Sequence, residues 1–271
     1  MIPPENTSQP SYYLVNNASS NSNRIKFNDP ILSVILPVFN EAAIISESIE
    51  TIDNFLESIN LPYEILVCDD CSNDGTYQIV KDLLIKNPNI LLLRFNKRLG
   101  KGGTIKEAIN LASGKIVIVM DADLPVDLSY MITFINLINA GNSIIIGERS
   151  ISDRLAQGFL RVILSLAYNV LVNLLFRTNI KDHQCGFKGF RTEIARLLAK
   201  DIFNNGFTFD TELIIKAKTL GIPIKTVQVK WNERRPTKHN LCWIKIAPIM
   251  MKDLVILKIK GKHTLRCNIC E

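Results

Sequence analysis

Between residues 31 and 147 the chain alternates short, dense apolar runs with longer stretches of helical period. The runs at 31–38, 64–68, 90–94, 116–120 and 143–147 are rich in Val, Ile and Leu, as expected of strands buried on both faces. The intervening segments 41–59, 76–86, 103–112 and 127–140 return an apolar residue every three or four positions and read as helices. Strand–helix alternation of this kind predicts an α/β fold, a mostly parallel sheet flanked by helices and joined by right-handed crossovers.

The pattern changes after residue 150. Residues 155–176 are apolar except for Gln157, Arg161, Asn169 and a few small polar positions. The stretch approaches the length of a membrane span, but a central arginine is costly in hydrocarbon, so an interfacial or buried helix is expected. Residues 243–258 mix large apolar residues with spaced lysines. That composition suits a helix lying on an anionic surface, and equally an amphipathic helix docked on the sheet. Residues 1–29 are rich in Asn, Ser and Pro without an apolar period and predict a disordered leader. The expected organisation is a leader over 1–29, one domain over 30–240, and an amphipathic helix and tail over 241–271.

The 271 residues suffice for a substantial core without disulfide staples. The net charge of +6 favours anionic phosphates or an anionic membrane surface. Its basic residues are scattered and aromatics are few, which argues against nucleic acid as a partner. No signal-peptide pattern opens the sequence, and the six cysteines fit a reducing, cytoplasmic setting. Cys267 and Cys270 make one C-x-x-C near His263, half a zinc site at most.

Candidate chemistry gathers at the ends of the predicted strands. Val117-Ile118-Val119-Met120 runs into Asp121-Ala122-Asp123. Two carboxylates two residues apart, at the C-terminal end of a buried strand, repel unless a cation or donor-rich ligand lies between them. A hard divalent ion bridging to a diphosphate is the simplest resolution. Pro37-Val38-Phe39-Asn40-Glu41 ends the first strand, with Asn40 suited to cap the next helix and Glu41 to its first turn. The segment could also form a pocket floor for a base and ribose. Asp69-Asp70 follows the second strand, where a carboxylate can accept from a base N–H or a ribose hydroxyl, and Asp74-Gly75-Thr76 reads as a turn into a helix. Asn96 to Gly103, with Lys101 among its glycines, could cradle phosphate at a helix N-terminus. Neither a P-loop nor a G-x-G-x-x-G fingerprint is present.

In this order the motifs resemble the GT-A fold, family 2 inverting glycosyltransferases over roughly residues 31–240. Asp182-His183-Gln184-Cys185-Gly186-Phe187-Lys188 and Phe207-Thr208-Phe209-Asp210-Thr211-Glu212 are similar to elements of the polyprenyl (dolichyl) phosphate hexosyltransferases, closest to the dolichyl-phosphate β-glucosyltransferase branch. Trp231-Asn232-Glu233 resembles that branch too, but the Gly-Ser-Lys expected next is replaced by Arg234-Arg235-Pro236-Thr237-Lys238. The resemblance implies that Pro37, Val38, Asn40, Glu41 and Asp69 line the nucleotide site and that Lys101 contributes to it. It places Asp121 near the ribose and diphosphate, and makes Asp123 the metal ligand for Mg²⁺ or Mn²⁺, with Asp121 beside it. Arg149 would sit by the donor diphosphate or the acceptor phosphate, Arg161 and Ser165 at the acceptor phosphate, and Arg234 as a further phosphate contact. Gln184 and Asp210 would meet sugar hydroxyls or the acceptor.

The function so implied is metal-dependent, inverting transfer of a hexose from a UDP-sugar, most simply UDP-glucose, to a polyprenyl or dolichyl monophosphate. It would take place at the cytoplasmic face of a membrane. Rival readings are the same acceptor with GDP-mannose, a family 2 transferase acting on a glycan hydroxyl, and a non-catalytic membrane scaffold.

Overall fold

The computed structural model describes residues 12–15, 29–155, 159–232 and 240–267. Its strands are β1 (Tyr12–Val15), β2 (Leu32–Val38), β3 (Tyr63–Asp69), β4 (Ile90–Phe95), β5 (Ile116–Val119), β6 (Ile144–Arg149), β7 (Lys188–Arg191) and β8 (Ile224–Val229). They form one sheet in the order β1-β4-β3-β2-β5-β7-β6-β8. β2, β3, β4 and β5 are mutually parallel and β6 runs parallel to β8, while β1 and β7 run against their neighbours. The predicted α/β class and parallel core therefore hold. The sequence pattern did not reveal β7, four residues containing Lys188 and Gly189 that are wedged between β5 and β6.

Side-chain alternation on the strands divides the core into two layers. Leu32, Val34, Leu36, Ile65, Val67, Leu92 and Ile118 face α1 (Ile45–Ser58), α2 (Thr76–Lys86) and α4 (Ser129–Asn139). Ile35, Leu66, Leu93, Val117, Val119 and Ile146 face α3 (Lys101–Leu111), α7 (Thr192–Ala199) and α8 (Phe209–Thr219). Phe134 meets Phe187 on the first side with ring centroids 4.6 Å apart. Each layer buries more than twenty apolar side chains, which is why the dense strand runs need no polar face.

The leader departs from expectation. Tyr12–Val15 lie antiparallel on β4, Tyr13 opposite Arg94, and close one edge of the sheet. Tyr12 packs on Phe95 with ring centroids 5.5 Å apart, and this aromatic anchor explains how a polar-rich stretch supplies a strand. Apart from Asp29, the rest of the leader lies outside the described residues.

The apolar stretch after residue 150 forms α5 (Ile151–Leu155) and α6 (Phe159–Phe176), and the later one forms α9 (Asn240–Cys267), which contains Pro248. Helix α9 docks on α6 rather than on the sheet: Tyr168 and Val172 of one pack with Met250, Leu254 and Leu257 of the other as a third, separate cluster. Among the described residues no helix is long and apolar enough to cross a membrane.

Candidate active site

The chain order places a switch point beside β2. From β2 the chain steps outward through β3 to β4, then returns to β5 on the other flank. Loops leaving β2 and β5 therefore diverge, and a crevice opens at the C-terminal ends of the parallel strands. A cavity of about 620 Å³ occupies that edge. It receives Pro37, Val38, Phe39 and Glu41 from the end of β2, Asp70 from β3, Arg98 from the loop after β4, and Asp121 to Asp123 from β5. Arg149 ends β6, Trp231 follows β8, and the antiparallel β7 begins at the same edge, so the preceding segment brings Gln184.

Side chains of one loop hold the backbone of the next. The Asn40, Glu41 and Ala42 amides donate to Ser72 Oγ, Thr76 Oγ1 and Asp74 Oδ2 at 2.9, 2.8 and 3.0 Å. The segment from Asp69 to Thr76 is thus a clamp for the strand end at Pro37–Glu41, beyond its expected turn. Asn40 does not cap α1, which begins at Ile45 without a side-chain cap. Its φ is +56°, and its Oδ1 accepts the Asn73 amide at 3.0 Å, so the side chain is used to join the two loops. Neither Asn40 nor Asp69 lines the cavity. Asp69 is fully buried, ion-paired with Arg94, and accepts the Ser72 amide at 3.0 Å. Its neighbour Asp70 faces the cavity.

Asp70 shapes the glycine-rich loop by accepting the Leu99 and Gly100 amides at 2.6 and 3.0 Å and Arg98 Nε at 3.0 Å. The Arg98 guanidinium lies 3.3 Å from the centroid of the Phe39 ring at the cavity wall. Gly100, with φ +86°, adopts a left-handed conformation that a side chain would strain. Helix α3 then starts at Lys101, whose ammonium donates to Asp121 Oδ1 at 2.5 Å. Burial works against ionising Asp121, yet Lys101, together with Lys188 and Arg149, holds its carboxyl below the usual carboxylate range. Burial likewise opposes the charge of Lys101, and Asp121 beside it wins, raising the ammonium above the ordinary lysine range. A Cβ at Gly186 would lie 2.0 Å from Asp121 Oδ2, so glycine is what lets the segment before β7 pass the carboxylate.

Arg149 is buried and held by Asp182, with Nε–Oδ2 at 2.7 Å and Nη2–Oδ1 at 2.9 Å. Lys188 Nζ donates to Asp210 Oδ1 at 2.8 Å in an equally enclosed pair. Behind Arg149, Asn169 Oδ1 accepts the His183 amide at 3.0 Å and lies 2.6 Å from His183 Nδ1, fastening α6 to the segment before β7. Ser165, Leu164, Ala167 and Tyr168 of α6 and Ala247, Met250 and Met251 of α9 complete an apolar wall, with Phe207 at its margin.

Of the residues expected from sequence, Pro37, Val38, Glu41, Lys101, Asp121, Asp123, Arg149, Ser165, Gln184 and Asp210 converge on one cavity. Arg161 belongs to α6, but its side chain lies outside the described residues, as does Arg234 entirely. Phe39, Asp70, Arg98 and Trp231 lay in segments the sequence singled out but were not assigned roles of their own, and Tyr168 and the methionines of α9 were not foreseen. For Asp70 the adjacent pair of acids was a signal, and only the point where the strand stops distinguishes its outward carboxylate from the inward one of Asp69.

The donor set suits a hard cation. Asp121 and Asp123 share the cavity, and among the described residues no cluster of three or more His, Cys, Asp or Glu could enclose a metal alone. Two carboxylates with the remaining positions left to phosphate oxygens and water is how Mg²⁺ and its relatives are usually held with a nucleotide.

The chain is 32% identical over 244 residues to glycosyltransferase AglD of Haloferax volcanii, covering 88% of this chain but only 38% of AglD. It is 33% identical over 244 residues to a dolichyl-phosphate beta-glucosyltransferase of Dictyostelium discoideum, covering 84% of this chain and 74% of that protein. Glucosyl-3-phosphoglycerate synthase of Mycobacterium tuberculosis, crystallised with Mn²⁺, UDP and glucosyl-3-phosphoglycerate, matches with a TM-score of 0.62 at 19% identity over 84% of this chain and 80% of that one. At that identity the likeness carries the fold, the GT-A arrangement of sheet and helices. Residues 33–198 match the family model for glycosyl transferase family 2, and since they hold β2 to β7 and most of the cavity, the chain belongs to that family of enzymes.

Proposed function

We propose that this glycosyltransferase moves a hexose, in the first instance glucose from UDP-glucose, onto a dolichyl or other polyprenyl monophosphate and inverts the anomeric centre. The observation that carries the reading is the two-sided cavity. One side presents Asp121, Asp123, Lys101 and Arg149, while the other is walled by Leu164, Ala167, Tyr168, Met250 and Met251. A sugar nucleotide fits the first side, and a phosphate with an isoprenoid tail needs both. The dolichyl-phosphate glucosyltransferase relative supports the same acceptor.

In this reading Pro37, Val38, Phe39, Glu41 and Asp70 enclose the nucleoside, and Asp123 with Asp121 would hold Mg²⁺ or Mn²⁺. The ion would supply charge neutralisation for the departing diphosphate. Lys101, fixed by Asp121, would face the same diphosphate. The acceptor phosphate oxygen is already anionic at neutral pH, so attack on the anomeric carbon needs no strong general base. It needs relief of repulsion between two anions. The two bonds to Asp182 use two of the five N–H donors of Arg149 and fix its plane, so the others can meet a phosphate. Ser165, on the α6 wall of the same cavity, would join it, and Arg161 and Arg234 would be further phosphate contacts. Gln184 and Asp210 would orient sugar hydroxyls.

The enzyme would work as a peripheral protein at the cytoplasmic face of a membrane. Ile163, Leu166, Val170 and Leu174 form an exposed stripe on α6, at spacings of three and four residues. Met251, Val255 and Ile259 form a second on α9. Contiguous apolar surface of this kind marks an interaction site, and the two helices that carry it also line the cavity. The deciding experiment offers dolichyl phosphate and a panel of radiolabelled sugar nucleotides, with D123A as control. UDP-glucose should give a lipid-soluble, metal-dependent product. Turnover of GDP-mannose alone would replace the donor assignment, and label transferred only to glycan hydroxyls would refute the acceptor. Flotation with anionic liposomes tests the membrane arm, and a protein left at the bottom of the gradient would refute it.

A further inference from the structure

Helix α9 reaches the connection between α7 and α8 through its one acidic residue, Asp253. Asp253 Oδ2 accepts Asn204 Nδ2–H at 2.6 Å and Thr208 Oγ1–H at 2.8 Å. Both donors are buried, and they belong to the connection between α7 and α8. That connection has little slack. The Glu212 carboxylate accepts the Phe203 and Asn204 amides at 3.1 and 3.0 Å, and Asn204 Oδ1 accepts the Gly206 amide at 2.9 Å.

The other side of the same connection bears on the glycine-rich loop. The Asn205 carbonyl accepts the Gly103 amide at 3.1 Å. A Cβ at Gly100 would lie 2.5 Å from Asn205 O, and one at Gly102 would lie 2.3 Å from Phe209 Cβ. Backbone packed this closely moves as a unit. The loop it presses on ends at Lys101, whose ammonium holds Asp121. By contrast, the apolar contacts of α9 run chiefly to α6.

We infer that Asp253 is a positioning residue that sets the donor-phosphate loop Gly100–Gly103 from helix α9, by way of Asn204 and Thr208. The inference rests on the proposed function in taking that loop as the place of the donor diphosphate. It makes α9 part of donor binding as well as a wall of the cavity.

The test is calorimetric titration of UDP with Mn²⁺ into the whole chain, comparing wild type, D253A, D253N and T208V, with melting temperatures measured in parallel. D253A should bind UDP about fivefold more weakly, the lower range for coupling between sites. D253N should bind as wild type, because its amide oxygen can accept the same two hydrogen bonds. T208V, which removes one donor without touching the cavity, should fall between. In the transfer assay D253A should raise KM for the sugar nucleotide and leave KM for the lipid acceptor unchanged. Wild-type UDP affinity in both D253A and T208V would overturn the inference, and so would a D253N as weak as D253A, since charge rather than position would then be at work. If D253A melts far below wild type, T208V decides by the same criterion. A wild type that binds neither UDP nor GDP would refute the donor-site reading itself and this inference with it. Normal wild-type binding with unaffected variants would refute the inference alone.

Discussion

The two flanks of the cavity are built in different ways. On the β2–β5 flank each parallel strand ends in its own short motif, and each motif bonds to the next: Ser72, Asp74 and Thr76 hold the amides after β2, and Asp70 holds those after β4. On the β6–β8 flank the partners join helices and the segment before β7 rather than the ends of neighbouring parallel strands. Arg149 depends on Asp182, Tyr168 donates to Thr211 Oγ1 at 2.8 Å, and Asp253 of α9 closes on Asn204 and Thr208. The first flank is a frame of short motifs at the ends of neighbouring parallel strands. The second is an assembly that exists only when α6, β7 and α9 are docked. A polar ligand requires the frame, whereas an acceptor that brings an apolar tail requires surfaces from several distant segments.

The largest expected effect lies on the frame side. Asp123→Ala should lower kcat by about 10³-fold, the scale of several kcal/mol for a lost metal contact, with the melting temperature little changed. A stable, fully active D123A would break the comparison at its root. Across the cavity, Asp182→Ala should act on stability first. It strands the buried Arg149 guanidinium, a loss of about 3 kcal/mol in denaturant unfolding. If D182A were as stable as wild type, the second flank would not be the tightly coupled assembly described.

Gly186→Ala lies where the flanks meet. Its Cβ would press on Asp121 Oδ2 at 2.0 Å, so overpacking of about 1–3 kcal/mol is expected, read as weaker UDP binding with an intact fold. Unchanged UDP affinity would show that the segment before β7 yields freely. The smallest effect concerns Cys185. Burial, and the nearby Asp182 carboxylate, push its thiol up to about 11. A thiol protonated well beyond the ordinary range should resist alkylation at pH 8, while the partly exposed Cys71 reacts. The sign for stability follows: the unfolded thiol ionises near 9 and the folded one near 11, so stability is fully present below about 9 and is lost as pH rises from there to about 11. Peptide mapping after iodoacetamide at pH 8 checks the first point, and rapid labelling of Cys185 would show that this flank opens readily.

How far the sequence could be read follows the same division. The four dense strand runs from residue 31 to residue 120 gave the parallel core, because strands buried on both faces leave only one fold class open. The Asp121–Asp123 pair was expected at a crevice and lines one, since the end of such a strand must face it. Asp69 lies away from the cavity because β3 ends with it, buried against Arg94, while Asp70 opens the loop, and the sequence does not say where the strand stops. β7 was missed because Lys188 and Gly189 carry no strand signal. Lys188 is tolerated there because Asp210, 22 residues on, neutralises it. The strand in the leader was missed because its anchor is Phe95, across the sheet edge.

Sequence by itself determined the α/β class, the frame of loops at the strand ends, and the carboxylates at the centre, because in these the interacting groups lie on neighbouring elements and follow from strand period and turn chemistry. Tertiary structure decided which acid of the Asp69–Asp70 pair faces the cavity, that α9 docks on α6, and that Arg149 pairs with Asp182 and Lys188 with Asp210. Those choices rest on the burial and charge pairing of residues tens of positions apart, which no local pattern encodes.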